Sequence, residues 1–411
     1  MTCTGTAAQN GVTFDDLGLL RDAAMLVRGG TVAALGRERD VIAQAPEDAV
    51  EIAVRDCAVV PGFVDAHAHP LFAGDREPDF SARTRGAQAG QGMLYTVERT
   101  REALRDPAGF YERTVRPRLQ AMFAHGTTTL ETKTGYALTK EGEFALLDLI
   151  AAHKDDAGVP RLVATFLGAH ALAPEFDSYS AYVDYLVREC IPGVREHGAE
   201  YADVFCEPGF FSVDDSRRYL RAAAHHGLRL RAHCDEMENG GAVAMAADVG
   251  VDSFDHCNDI DEAGVIAIVK SGGVLVACPA TIEFLGLKER APVRDVLARG
   301  GTVALASDFN PGTSPCFNLQ TVAYYGRKSF GLSAAEALYG VTVAANASLR
   351  ADAGRLREGG PADFVALQID DLREFGWQFG GNLAKSVCKA GRPVPRLRPS
   401  SMAYARDDKS G

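Results

Sequence analysis

Eight short apolar runs, separated by longer amphipathic stretches, follow one another through the middle of the chain. The runs have the length of buried strands, and the stretches between them have the length of helices. The predicted strands are residues 62–67, 127–133, 161–168, 201–206, 228–233, 253–256, 273–278 and 302–308. The predicted helices include residues 107–124, 141–153, 179–196, 213–226 and 261–271. Because strands that alternate with helices pair in parallel, the pattern predicts an α/β fold with a (β/α)8 barrel over residues 61–349.

Both ends of the chain carry strand signals without intervening helices. Gly29-Gly30 is a hairpin turn signal between two short apolar runs. Further strands are predicted at residues 50–54, 363–368 and 384–389. The sequence therefore predicts a small β-sandwich domain built from both chain ends, residues 1–60 plus 350–411, with a frayed end after residue 393.

The composition argues against several classes of partner. The formal net charge is −12 and the pI is near 5.4, whereas nucleic-acid binding requires a basic face. Nine cysteines without a CxxC pair predict reduced thiols rather than a disulfide framework. There is no signal-peptide pattern, and no apolar run approaches the ~20 residues that a membrane helix needs. We expect a cytoplasmic protein that binds neither nucleic acid nor membrane.

The segment PGFVDAHAHP, residues 61–70, ends an apolar run at two histidines. Residues i and i+2 of a strand project from the same side, so His67 and His69 can direct two imidazoles at one point. Neutral imidazole is a common ligand for transition metals. The alternative interpretation is two hydrogen-bonded histidines at a strand end.

The positions of the other histidines support both the barrel and a site. Active sites of such barrels lie at the carboxyl ends of the strands. Of ten histidines, five fall at or just after predicted strand ends, and Asp308 ends the eighth strand. The five are His67, His69, His170, His233 and His256. The others, at helix ends, are interpreted as surface or capping residues: His125, His153, His197, His225 and His226.

A single divalent metal ion is the cofactor that these residues suggest. Ligands His67, His69, His233 and Asp308 suit Zn²⁺ or Fe²⁺. A water in the remaining position would have its pKa lowered toward ~7. Lys133, at the end of the second strand rather than the fourth, is a poor candidate to bridge a second metal, so one metal is predicted.

Three acidic or basic groups are candidates for proton transfer. Glu236 leaves the same strand end as His233 and could shuttle protons, whereas Asp235 is interpreted as a solvated loop charge. His256 could polarise a carbonyl oxygen, or it could be a buried histidine bonded to a neighbour. Asp308 could both bind the metal and accept a proton from water.

Two loops are candidates for holding a substrate. Arg76 lies in the first loop after the paired histidines, and its guanidinium suits a carboxylate, although it could also be a surface arginine paired with a nearby aspartate. Residues 308–315, DFNPGTSP, form a rigid loop that can present N–H and hydroxyl groups, or that is only a tight turn.

These motifs resemble the metal-dependent amidohydrolase superfamily. PGFVDAHAHP, the HxxE of residues 233–236 and Asp308 carry the general resemblance. The segments HPLFAGDR, ETKTGYAL, TFLGAHALAPEF and SDFNPGTSP resemble the superfamily's ring-opening enzymes of histidine degradation. The resemblance covers residues 23–392. It implies a metal-binding barrel with a flanking β-sandwich, which hydrolyses 4-imidazolone-5-propanoate to N-formimidoyl-L-glutamate.

The resemblance also implies roles for individual residues. The implied metal ligands are His67, His69, His233 and Asp308. The implied substrate contacts are Arg76, Tyr136, His170 and Glu236, and the implied product contacts are Asn310, Gly312 and Thr313. Glu236 would shuttle protons, and His256 would help to stabilise the oxyanion. Related barrels often dimerise, so a homodimer is expected.

One segment departs from the superfamily pattern, and two other functions stay open. Residues 85–97 are shorter than usual and lack a tyrosine and a glycine triplet, although Tyr95 offers a hydroxyl at a different position. One alternative is a deaminase or cyclic amidohydrolase acting on another nitrogen heterocycle. The other is a non-catalytic metal-binding barrel. An arginine that binds a carboxylate tail favours the small anionic heterocycle with a propionate.

Overall fold

A computed structural model describes residues 1–5, 8–87 and 90–394 of the 411-residue chain. The strands are β1 Ala23–Arg28, β2 Thr31–Arg37, β3 Ala58–Pro61, β4 Phe63–Asp65, β5 Thr127–Lys133, β6 Arg161–Ala169, β7 Tyr201–Cys206, β8 Arg229–Cys234, β9 Ser253–His256, β10 Val274–Ala277, β11 Thr302–Leu305, β12 Phe364–Leu367, β13 Ala384–Lys389 and β14 Arg392–Val394.

The α-helices alternate with the barrel strands and also flank them. They are α1 Glu38–Ile42, α2 Glu77–Thr84, α3 Gly92–Ala103, α4 Pro107–Phe110, α5 Arg116–Ala124, α6 Lys140–Ala152, α7 Tyr179–Tyr185, α8 Val213–His225, α9 Ala242–Val249, α10 Glu262–Ser271, α11 Pro279–Leu285, α12 Val293–Ala298, α13 Leu319–Phe330, α14 Ala334–Tyr339 and α15 Ala345–Leu349. Short π-helical segments are Tyr111–Val115, Leu186–Cys190 and Gly340–Ala344, and Leu372–Glu374 is a 3₁₀ turn.

Strands β4 to β11 form one eight-stranded sheet in chain order, with each neighbouring pair parallel. The sheet closes where a parallel bridge joins Ala68 to Phe309. The backbone N–H of Asp308 donates to the carbonyl of His67 at 2.9 Å, and that of His69 donates to the carbonyl of Phe309 at 2.8 Å. The predicted barrel is therefore confirmed.

The barrel strands are covered on both faces. All residues of β5, β7, β9 and β10 are buried, as expected where helices pack outside a parallel sheet and side chains fill its interior. Polar N-caps start several of the outer helices, where a side-chain oxygen accepts from an otherwise unpaired N–H. These caps include Thr139, Ser178, Ser212 and Asp261.

Two antiparallel sheets lie beside the barrel. One has the order β14-β13-β12-β3, so it combines a strand from before the barrel with three from after it. The other is the β1-β2 hairpin, which a bridge from Thr31 to Pro361 joins to the later part of the chain. The boundaries at residues 60 and 350 stay a prediction, and residues 395–411 lie outside the described part.

Two local predictions were wrong. Residues 50–54 form no strand: Val50 is 89 % exposed, so its β-branched side chain has no sheet to pack on. The predicted helix 107–124 is helical throughout, with a π-helical segment at Tyr111–Val115, whereas the predicted helix 179–196 has a π-helical segment at Leu186–Cys190 and is not helical after Cys190. Pro117 and Pro192 follow these segments, and proline removes a backbone donor and crowds the preceding turn.

Among the described residues, no helix combines the length and the apolar character needed to cross a membrane.

Gly62 joins β3 of the four-stranded sheet to β4 of the barrel and gives a test of this junction. A Cβ at Gly62 would lie 2.1 Å from Thr128 Oγ1 and 2.5 Å from Thr128 Cγ2, and Thr128 is buried in β5. We predict that Gly62→Ala lowers the free energy of unfolding by about 1–3 kcal/mol, measured by chemical denaturation. Gly381→Ala is the control, because its nearest neighbour would be 4.0 Å away at Gln378. Equal stability of the two variants would contradict the prediction.

Candidate metal centre and active site

The predicted site residues converge at the carboxyl ends of the barrel strands. His67 and His69 follow β4, His233 lies in β8, His256 ends β9, and Asp308 follows β11. Their side chains are at most 4 % exposed. Five polar side chains from four strands thus share one water-poor region.

The imidazoles form two groups that share His67. In the first, the Nε2 atoms of His67 and His69 lie 3.3 Å apart, and each lies 3.5 Å from Asp308 Oδ1. In the second, donor atoms of His67, His233 and His256 lie within 4.8 Å of one another, as they do in the first group. His67 thus lies within 4.8 Å of donor atoms of the other three predicted ligands, His69, His233 and Asp308, and also of a donor atom of His256.

Two of the histidines are held from behind by buried carboxylates. His67 Nδ1 lies 2.7 Å from Asp255 Oδ2, and His233 Nδ1 lies 3.2 Å from Asp203 Oδ1. A bond at Nδ1 leaves the Nε2 lone pair of each ring for a ligand, which is the usual arrangement of metal-binding histidines. Sequence reasoning did not identify Asp203 or Asp255, although each is a carboxylate inside an otherwise apolar strand.

The charged groups around His67 and Asp308 favour a positive charge between these two side chains. Burial and Lys133 oppose protonation of His67, but Asp255 and Asp308 outweigh them and raise its pKa to about 9. Burial would raise the pKa of Asp308, yet hydrogen bonds with His67 and His69 keep it well below its ordinary value. The same charges that favour a proton here would favour a divalent cation.

The free ring atoms also fit a metal ion. Among the described residues, both ring nitrogens of His256 have no hydrogen-bond partner, although they are buried. Buried polar atoms are normally paired, so unpaired ones at a cluster of imidazoles suggest a missing ligand. The donor set of imidazoles and a carboxylate matches Zn²⁺ or Fe²⁺ chemistry.

Asp308 is oriented by a residue that the sequence did not reveal. Thr281 Oγ1, in α11, donates to Asp308 Oδ2 at 2.7 Å, which leaves Oδ1 facing His67 and His69. Asp308 adopts φ 49° and His256 adopts φ 68°, in the left-handed region that non-glycine residues rarely occupy. Such backbone costs on the order of 1–3 kcal/mol per residue and is concentrated at functional sites.

Glu236 faces His256 across the site. Its Oε1 lies 3.6 Å from His256 Nδ1. Burial, with repulsion from Asp308, raises the pKa of Glu236 to about 7, so it can take up and release a proton near neutral pH. Burial lowers the pKa of His256 to about 3, so its ring is neutral.

The loop that carries Glu236 is fixed by other buried acids. Glu207 accepts from the backbone N–H groups of Glu236, Met237 and Glu238 at 2.7–2.9 Å. Asp235 is 1 % exposed and accepts from three N–H groups at the start of α9, including that of Val243 at 2.9 Å. Its interpretation as a solvated loop charge was therefore wrong, because it caps a helix.

Tyr136 and His170 form one wall of the site beside His69. The rings of His69 and His170 stack with centroids 5.1 Å apart, and Tyr136 lies 5.2 Å from His170. His170 Nδ1 donates to the carbonyl of Gly135 at 3.1 Å, and burial lowers the pKa of His170 to about 3. Burial raises the pKa of Tyr136. Both side chains are thus neutral, and each has a polar end for a ligand.

Arg76 lies next to the loop that follows β11. Its Nε donates to the buried Asp79, whose carboxylate also accepts from the N–H groups of residues 90–92. A Cβ on Gly312 would lie 3.4 Å from Arg76 Nη1, so the guanidinium faces that loop. Arg83, which the sequence did not single out, donates to the Gly312 carbonyl at 2.8 Å. Arg76 is thus paired with an aspartate, as the alternative interpretation proposed, but it is only 11 % exposed.

The remaining predicted contacts lie in or near the same loops. Asn310 Oδ1 accepts from the N–H groups of Gly312 and Thr313, both at 2.8 Å, so Asn310 shapes its own loop. Tyr95 lies in α3, and its ring would be 3.1 Å from a Cβ on Gly74. Product contacts by these loop residues and a substrate contact by Tyr95 stay predictions.

Known proteins resemble this chain over nearly its whole length. A profile of the amidohydrolase family matches residues 58–392. An imidazolonepropionase of Solibacter usitatus is 38 % identical over 400 residues, 94 % of each chain. An imidazolonepropionase of Rubrobacter xylanophilus is 38 % identical over 403 residues, 95 % of each chain. Guanine deaminase from E. coli, a solved structure, superposes with a TM-score of 0.70 over 97 % of each chain at 17 % identity, which shows a shared fold only. The chain therefore belongs to the amidohydrolase family and, within it, to the imidazolonepropionases.

Proposed function

We propose that this protein hydrolyses the cyclic amide of 4-imidazolone-5-propanoate to give N-formimidoyl-L-glutamate, a step of histidine degradation. The proposal rests on one observation above all. The imidazole–Asp308 cluster, Glu236 and Arg76 lie at the same end of the barrel, in a chain 38 % identical to proteins named for this reaction. The substrate is a small anionic heterocycle, which matches a buried polar site with an arginine beside it.

The proposed metal ligands are His67, His69, His233 and Asp308. When bound in such a site, a divalent ion such as Zn²⁺ or Fe²⁺ acts as a Lewis acid and lowers the pKa of coordinated water. The carboxylates behind His67 and His233 keep both rings oriented toward it. One ion per chain is proposed.

The chain's own residues supply the proton transfers and the polar contacts. Water adds its oxygen to the ring carbonyl carbon, and Asp308 accepts a proton from it, with its carboxylate held in place by the hydrogen bond from Thr281. Neutral His256 donates a hydrogen bond to the developing oxyanion. Glu236 delivers the proton to the ring nitrogen as the carbon–nitrogen bond breaks. A pKa of about 7 suits Glu236 to this transfer.

The propionate of the substrate is proposed to bind Arg76. Asp79 fixes the Nε edge of the guanidinium, so the Nη groups are left for a carboxylate. Tyr136 and His170 would contact the same end of the substrate, while Asn310, Gly312 and Thr313 would contact the opened product. A cytoplasmic, homodimeric enzyme is part of the proposal.

The first prediction concerns turnover. Metal-loaded protein should consume 4-imidazolone-5-propanoate, followed by its ultraviolet absorbance, and chelation should stop the reaction until Zn²⁺ or Fe²⁺ is returned. Asp308→Asn should lower kcat by about 10³-fold or more, because it removes both a ligand and a proton acceptor. Asp214→Asn is the control, since that carboxylate is 93 % exposed. Ammonia release from guanine, without turnover of the imidazolone, would instead indicate a deaminase.

The second prediction concerns Arg76. Arg76→Gln should raise KM about 10-fold to 100-fold with little change in kcat, because it removes a charged contact made equally in the substrate and the transition state. Arg113→Gln, which removes a 71 % exposed arginine, should change neither constant. A fall in kcat without a rise in KM would contradict a carboxylate-binding role.

The third prediction concerns Thr281. Thr281→Val removes the hydrogen bond to Asp308 while keeping the side-chain shape, and a hydrogen bond to a charged group contributes about 1.5–3 kcal/mol. We expect kcat to fall about 10-fold to 100-fold. Thr165→Val is the matched control, because its buried hydroxyl has no hydrogen-bond partner within the described residues. Equal kcat values for the two variants would show that Thr281 does not orient Asp308.

A further inference from the structure

The interior of the barrel below the histidines holds a cluster of fully buried charges. It contains the carboxylates of Glu131, Asp203 and Asp255 and the cations of Lys133 and Arg231, all with 0 % exposed side chains. Burying charges is costly unless each is paired, and sequence reasoning gave this cluster no role. Its members are therefore candidates for a function beyond the fold.

Lys133 is the cation nearest to the carboxylate behind His233. Its Nζ lies 2.6 Å from Asp203 Oδ2 and 2.9 Å from Glu131 Oε1, but 3.6 Å from Asp255 Oδ2. His233 Nδ1 lies 3.2 Å from Asp203 Oδ1 and 3.1 Å from Asp203 Oδ2, and Oδ1 also accepts from the N–H of Val204 at 2.8 Å. Lys133 and His233 thus bind the same carboxylate, Lys133 through Oδ2 and His233 across both oxygens.

Arg231 has the corresponding position behind His67. Its Nη2 donates to the carbonyl of Ala66 at 2.7 Å and lies 3.3 Å from Asp255 Oδ2, the atom that faces His67 Nδ1 at 2.7 Å. Each of the two histidines therefore has its own carboxylate, and each carboxylate has its own cation.

The hydrogen bonds determine which ring nitrogen of His233 is free. Asp203 lies within hydrogen-bond distance of His233 Nδ1, so its carboxylate accepts the Nδ1 proton and leaves Nε2 unprotonated. Lys133 Nζ donates to Asp203 Oδ2 at 2.6 Å and so fixes the carboxylate that holds the ring. Without Lys133, Asp203 would lose this hydrogen bond and would be free to turn away from His233.

We propose that Lys133 is a positioning residue: through Asp203 it holds His233 in the orientation and tautomer that present Nε2 to the metal centre. Lys133 is thus not a ligand for a second metal, because Glu131 and Asp203 occupy its ammonium group. The inference rests on the proposed metal centre and concerns the affinity of that centre.

The test measures Zn²⁺ affinity of the full chain by competition with a chromophoric chelator. The proteins are the wild type, Asp203→Asn, Lys133→Gln and the double variant, all prepared metal-free. Asp203→Asn should raise the dissociation constant about 10-fold to 100-fold, and Lys133→Gln should raise it about 10-fold. In the Asp203→Asn background, Lys133→Gln should change it by no more than about twofold, because Lys133 then has no carboxylate through which to act.

Controls separate this role from a structural one. Lys154→Gln removes a 45 % exposed lysine that pairs with Glu200, and it should leave the affinity unchanged. Thermal midpoints of the metal-free proteins report any loss of stability. The double variant lacks both members of the pair, so its comparison with Asp203→Asn can still overturn the inference even if Lys133→Gln alone does not fold.

The outcomes distinguish a failure of the proposed metal centre from a failure of the inference about Lys133. A wild type that binds no Zn²⁺ overturns the proposed centre and this inference together. A wild type that binds one Zn²⁺ per chain, with a tenfold effect of Lys133→Gln that persists in the Asp203→Asn background, overturns the inference alone. An unchanged affinity in Asp203→Asn also overturns it.

Discussion

The seam between the first and eighth barrel strands determines the candidate centre. Hydrogen bonds from Asp308 to His67 at 2.9 Å and from His69 to Phe309 at 2.8 Å join the two strand ends. A shift of one residue would turn the side chains of one strand to the other face. Since His67, His69 and Asp308 all lie at this seam, closure of the barrel also brings the first group of candidate ligands together.

The second constraint is electrostatic. Taking charges out of water is costly, and the barrel interior offsets that cost for Asp203, Asp255 and Glu207 by giving each of them a cation or several N–H groups. Lys133 pairs with Asp203 and Arg231 pairs with Asp255, while backbone N–H groups donate to Glu207. Glu236 lacks such compensation, which is why its pKa is raised to about 7 and why it is the acid best suited to move a proton.

The sequence was sufficient for the fold and for the residues that face the site. Hydrophobic periodicity located all eight barrel strands, because a parallel strand buried on both faces is a short continuous apolar run. The same strand ends located His67, His69, His233, His256 and Asp308, since a barrel collects its strand ends on one face. The prediction of a strand at residues 50–54 was wrong because β-propensity without a neighbouring strand to pair with does not make a strand.

What the sequence did not reveal depends on contacts between distant elements. Asp203 lies in β7 and faces His233 in β8, whereas Asp255 lies in β9 and faces His67 after β4. No spacing rule in the sequence links Asp203 to His233. Thr281 reaches Asp308 from a helix after another strand. Its neighbours in the sequence do not distinguish Asp235 from a solvated loop residue. Only the folded chain shows the N–H groups at the start of α9 from which its carboxylate accepts.

Anomalous X-ray diffraction from crystals of the zinc-loaded protein is the most direct test of the central claim. We predict one zinc ion per chain, bonded to Nε2 of His67, His69 and His233 and to Asp308. Asp255 should remain bound to Nδ1 of His67, and Asp203 to Nδ1 of His233. A zinc ion bound elsewhere, or none at this cluster, would contradict it.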